Sequence, residues 1–139
     1  MIQQGFSLGD RDWYIMCAYD IRTKRDFSEV RRTLLAAGCE ESKADEALWV
    51  LSMWNKGFTY TNFRDHLTIV CISKATSAEQ LYDSVQHELK HVVEHLSEYY
   101  GVDSKGEEAA YLQGEVARLM YPAAAILMCP RCNHGYRLL

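Results

Sequence analysis

Hydrophobic spacing along this chain switches between strand-like and helix-like periods, and each switch marks a predicted element. Residues 13–21 (WYIMCAYDI) form an aromatic, β-prone run and predict a strand. From residue 27 to 37 the spacing turns helical. Phe27, Val30, Leu34 and Leu35 make the apolar stripe, Asp26 and Glu29 form a capping-box-like pair, and Gly38 ends the helix. Ser42 opens a second helix with Ala47, Leu48, Leu51 and Trp54 on one side, closing near residues 55–57. Residues 58–62 and 66–73, joined by a polar turn at Arg64-Asp65, predict a hairpin whose second, nearly all-apolar strand lies against the core. Thr76 or Ser77 starts a long helix that runs to Tyr100 and stops at Gly101. Ser104 with Glu107 makes a further capping box, opening a helix to about Tyr121 that Pro122 kinks or restarts. The order β-α-α-β-β-α-α predicts an α+β fold in which a short mixed or antiparallel sheet packs on the long helix and its successor. One domain over residues 1–139 is expected, with its core at about 11–122 and a tail from 123 to 139.

Composition narrows the classes of function. The chain has 139 residues, 48% hydrophobic and 24% charged, which suits one ordinary globular core and no disordered segment. A net charge of -4 with scattered arginines argues against nucleic acid as a partner. Two helices meeting near Gly38-Cys39 could suggest a helix-turn-helix, but Glu40, Glu41, Asp45 and Glu46 at the second helix's start would repel phosphate. The most apolar run, residues 123–129, is too short to span a bilayer, so no membrane partner is expected. Residues 1–5 lack the basic start and apolar stretch of a signal peptide. Cys17, Cys39 and Cys71 sit singly in apolar surroundings and read as reduced core thiols of a cytoplasmic protein.

The chemistry concentrates at His87-Glu88-Leu89-Lys90-His91, an H-E-x-x-H pattern. A four-residue step puts both imidazoles on one helix face, about a turn apart, where they can grip one metal ion. The glutamate between them can polarise water beside that ion. On a helical wheel Leu81, Val85, Leu89, Val92, Leu96 and Tyr99 gather on one side, with His87 and His91 opposite. An active-site helix has this form, its apolar back in the core and its ligands over a cleft.

Catalytic zinc takes three protein ligands as a rule. His95 lies about 6 Å further along the helix and about 40° further round, too far to converge on the same ion, and reads as an outer partner of the site or, more in keeping with its place, as exposed. The following helix offers Glu107, Glu108 and Glu115. Glu107 is engaged by the predicted capping box, Ala109-Ala110 after Glu108 permit close helix approach, and Glu115 would lie level with His91 in a tight antiparallel hairpin.

These residues resemble the zincin metallopeptidases, in particular compact gluzincins, and more loosely the ImmA/IrrE-like peptidases of phages and mobile elements. The resemblance covers roughly residues 66–122 and rests on HELKH at 87–91, EEAAYL at 107–112 and LMYP at 119–122. It implies Zn²⁺ held by His87, His91 and Glu108, with Glu88 as the base that takes a proton from zinc-activated water. The implied substrate is a peptide or protein, pairing with the strand over residues 67–72 by strand addition. A donor for the developing oxyanion is still needed. Tyr111 is a candidate, with Tyr99, Tyr100 and His95 behind it, although simple packing is the commoner role of such a helix aromatic. The alternative is a catalytically inactive zincin-like domain that binds metal or a partner, though an intact Glu88 favours the enzyme. Cys129-x-x-Cys132-x-His134 is half of a zinc knuckle with no second C-x-x-C to complete it, and is expected to be a tail rather than a second metal site.

Overall fold

The structure is a computed structural model and describes residues 1–9 and 11–128. In chain order it contains β1 (Ile2–Ser7), β2 (Tyr14–Ile21), α1 (Lys24–Ala36), α2 (Glu41–Leu51), β3 (Gly57–Asn62), β4 (Leu67–Ser73), α3 (Ala78–Tyr100) and α4 (Glu107–Met128). The fold is α+β. Its four strands form one mixed sheet in the order β1-β2-β4-β3, with β2 and β4 parallel and the two outer pairs antiparallel. No helix among the described residues is long and apolar enough to cross a membrane.

Strand alternation divides the core into two layers. Ile15, Cys17 and Tyr19 of β2 and Val70 and Ile72 of β4 face α3 and α4. Ala18, Ile69 and Cys71 face the other way, onto Val30 and Leu34 of α1 and Ala44, Ala47 and Leu51 of α2. Cys17, Cys39 and Cys71 are buried free thiols, and burial pushes the Cys17 thiol up to about 12.

β1 was not among the predicted elements. Its alternation is real, with Ile2, Gln4 and Phe6 turned inward, but glutamine disguises it. Gln4 is satisfied inside by the Tyr19 hydroxyl, which donates to its Oε1 at 2.5 Å, and by its own Nε2, which donates to the Leu119 carbonyl at 3.1 Å. The core also runs past both expected limits. Leu8 is fully buried at one end, and Ala123, Ala124 and Leu127 pack in at the other. Consequently α4 continues through Pro122 to Met128, because packing of its last turns offsets the hydrogen bond that proline cannot make.

Two helix starts differ from expectation. α1 begins with Thr23 as cap: its hydroxyl accepts from Asp26 N–H, and the Asp26 carboxylate accepts from Thr23 N–H. The working pair is therefore Thr23 with Asp26, not Asp26 with Glu29. α4 begins at Glu107, two residues later than a Ser104 cap requires, and its first hydrogen bond runs from Ala110 N–H to the Gly106 carbonyl. α3 matches its prediction at both ends. Ser77 caps it by accepting from Gln80 N–H, and Gly101, at φ 68°, closes it in the left-handed region that glycine tolerates best.

Candidate metal centre

α3 lies across the sheet with Leu81, Val85, Leu89, Val92 and Leu96 buried beneath it. His87 and His91 are thereby held on the outer side, His87 exposed and His91 half-buried. Their Nε2 atoms are 3.3 Å apart. Two Zn–N bonds of about 2.0–2.1 Å at a tetrahedral angle set their nitrogens about 3.3–3.4 Å apart, so this pair is already spaced for one tetrahedral ion. Among the described residues, the cluster able to hold a metal is His87, Glu88 and His91, whose donor atoms all lie within 4.8 Å of one another.

Glu88 differs from the two histidines. It is only 4% exposed, a carboxylate set into the buried side of α3. The Thr59 hydroxyl of β3 donates to its Oε1 at 2.9 Å, and its Oε2 lies 3.8 Å from His87 Nε2. Burial raises its pKa, against the opposing pull of the Thr59 hydrogen bond and of His87 and His91. The sequence carried a signal for this burial: position 88 follows Leu81 by seven residues and precedes Val92 by four, inside the apolar stripe.

β3 makes room for that carboxylate. Gly57, Thr59 and Thr61 alternate onto the α3 side, a row of small residues that admits the polar flank of the helix. A Cβ at Gly57 would come within 2.5 Å of Glu88 Cγ and 2.7 Å of its Cδ. Gly57→Ala should therefore push the Glu88 carboxylate away from its Thr59 partner. The ¹³C shift of the Glu88 carboxyl in the variant checks this; a shift equal to that of the wild type would show that the side chain stays in place.

A cleft of about 210 Å³ opens beside Glu88 and His87, between the 55–57 segment and Asp83 and Ser84 of α3. On the other side of His91 the Glu94 carboxylate lies 3.8 Å from Nδ1, close enough to bias the ring's orientation.

The acidic residues proposed from α4 are elsewhere. Glu108 Oε1 is 3.9 Å from Arg11 and Glu115 Oε2 is 3.5 Å from the same guanidinium, in the connection between β1 and β2. Glu108 is thus not brought to the histidines, and neither Glu107 nor Glu115 belongs to their cluster. The cause is the unbroken length of α3. Glu108 is the second residue of α4, next to the turn, whereas His91 lies nine residues, about 13 Å, before the end of α3. Cys129, Cys132 and His134 lie outside the described residues.

Tyr111 and His95 have different surroundings. Tyr111 is 73% exposed on α4. His95 is not simply exposed. It is half-buried, its Nδ1 lies 2.8 Å from Thr61 Oγ1, and burial together with the neighbouring His91 lowers its pKa. Tyr99 hydrogen-bonds His66 at 2.6 Å, and Tyr100 lies under the Arg11 guanidinium. β4 is also paired on both sides, by β2 and β3, and has no free edge to offer a peptide. The strand with a free edge beside the histidines is β3.

The chain matches no protein-family model, and no curated protein or solved structure matches it. The chemistry of the site therefore rests on its own geometry.

Proposed function

We propose that this protein is a zinc-dependent peptidase in which His87 and His91 supply two protein ligands of the metal and Glu88 is the general base. The observation that carries the reading is the 3.3 Å separation of the two Nε2 atoms with the Glu88 carboxylate beside them. Zinc held by His87 and His91 would supply a Lewis acid and would acidify water. Thr59 holds Oε1 of Glu88, which leaves Oε2, on the His87 side, to accept a proton and return it to the leaving amine. An extended peptide adds to the outer edge of β3 and passes His87 and the cleft. The free thiols of Cys17, Cys39 and Cys71, all buried, fit a reducing compartment such as the cytoplasm.

A second reading has its own observation. Glu88 lies within the ligand cluster, so it could be a third metal ligand in a domain that binds zinc without catalysis. Metal analysis of the purified protein and cleavage of a mixed peptide library, followed by mass spectrometry, test the first reading. The expected result is about one zinc per chain and metal-dependent cleavage that chelation stops. Stoichiometric zinc with no cleavage at any peptide bond would favour the binding domain.

A further inference from the structure

The metal centre is continued along α3 by His95, one helical turn beyond His91, with the two rings 6.4 Å apart. His95 ends a chain of hydrogen bonds that starts in the core. Trp13 Nε1 lies 3.0 Å from Thr68 Oγ1, Thr68 Oγ1 lies 3.0 Å from Thr61 Oγ1, and Thr61 Oγ1 lies 2.8 Å from His95 Nδ1. Proton counting gives this chain a direction. Indole nitrogen only donates, so Thr68 accepts from Trp13. Thr68 is fully buried and has no other partner among the described residues than Trp13 and Thr61, so its own proton goes to Thr61. Thr61 then donates to His95 Nδ1. That fixes the neutral tautomer with hydrogen on Nε2, and burial, with His91 nearby, lowers the pKa of the ring and so favours its neutral form.

Nε2–H is the free end of this chain, with no hydrogen-bond partner among the described residues. The ring is seated against the edge of Phe63 and lies over the same β3 row that holds Glu88. A donor fixed in tautomer and seated in this way pays no reorganisation when charge appears beside it. The other donors considered for that role, Tyr99, Tyr100 and Tyr111, are bonded elsewhere, stacked under Arg11 or turned to solvent.

We propose that His95 is a catalytic residue of this site, its Nε2–H donating to the carbonyl oxygen of the scissile peptide bond as negative charge develops there. Thr61, Thr68 and Trp13 are its positioning residues. The proposal rests on the peptidase reading and deepens it.

Zinc-loaded wild type, His95→Ala, His95→Gln, Thr61→Val and Thr61→Ser, assayed on one cleaved peptide, test it. His95→Ala should lower kcat by about a hundredfold with KM little changed, since the bond forms only in the transition state. His95→Gln, which keeps an N–H, should recover part of that loss. Thr61→Val should cost about tenfold in kcat and Thr61→Ser should restore most of it, with zinc content equal throughout. Long-range ¹H–¹⁵N spectra of the imidazoles add a readout independent of activity: wild-type His95 should carry its proton on Nε2, and Thr61→Val should lose that preference. Equal kcat in wild type and His95→Ala, or an Nδ1–H tautomer in the wild type, overturns the role of His95 and leaves the peptidase intact. A wild type that binds zinc and cleaves nothing overturns both, even if the tautomer is as expected.

Discussion

Glu88→Gln should retain zinc and lose hydrolysis by about a thousandfold, the contribution typical of a positioned general base. Glutamine keeps the shape of the side chain and can still accept from Thr59 at the Oε1 position, but it cannot take up a proton at neutral pH. Metal analysis beside peptide turnover separates the two readings of Glu88. A base leaves the metal in place when it is replaced. A ligand takes much of the zinc with it. Thermal unfolding of the metal-free proteins gives an independent check with a defined sign. Burial raises the Glu88 pKa above its ordinary value of 4.5, so the folded state binds that proton more tightly than the unfolded chain. Above pH 4.5 the ionised carboxylate therefore costs stability, a cost that the neutral amide lacks. The metal-free Glu88→Gln protein should melt at the same temperature or higher at pH 7, the trade expected where a site is built for chemistry rather than stability.

Zinc binding should collapse in His91→Ala and persist in Glu108→Ala and Glu115→Ala. Removing His91 takes away one of two imidazoles set 3.3 Å apart, which should weaken binding by more than the ten- to hundredfold typical of an outer-sphere partner. Equilibrium dialysis with the metal measures this directly. Glu108 and Glu115 are ion-paired to Arg11 instead, and a solvent-exposed pair such as Glu108 with Arg11 contributes no more than about 1 kcal/mol to the fold. Unchanged zinc affinity in His91→Ala would remove the metal centre. Loss of zinc in Glu108→Ala would mean that the helices rearrange when metal binds.

The long helix was legible at both ends because its signals are local. Ser77 and Gly101 act on their own backbone, and the apolar stripe from Leu81 to Leu96 repeats at the helical period. The outward placement of His87 and His91 followed from that stripe. The hairpin of β3 and β4 was also legible, within a residue at its boundaries. β1 was hidden because one of its inward positions is a glutamine that finds partners only after folding, Tyr19 across the sheet and Leu119 on a distant helix. The resemblance assigned substrate pairing to β4, but β2 takes that edge by pairing with it in parallel, a contact no local spacing announces.

Local spacing alone therefore determined the H-E-x-x-H face, the helix that carries it and the α+β class, because helix periodicity and caps act over a few residues. Tertiary structure decided what that face meets. Thr59 and Gly57 reach Glu88 from about thirty positions away in the chain, Thr61 reaches His95 from thirty-four, and Arg11 claims both candidate glutamates of α4. Such partners share no sequence period with the residues they touch. They are brought together only when α3 settles across a sheet whose edge strand is β3.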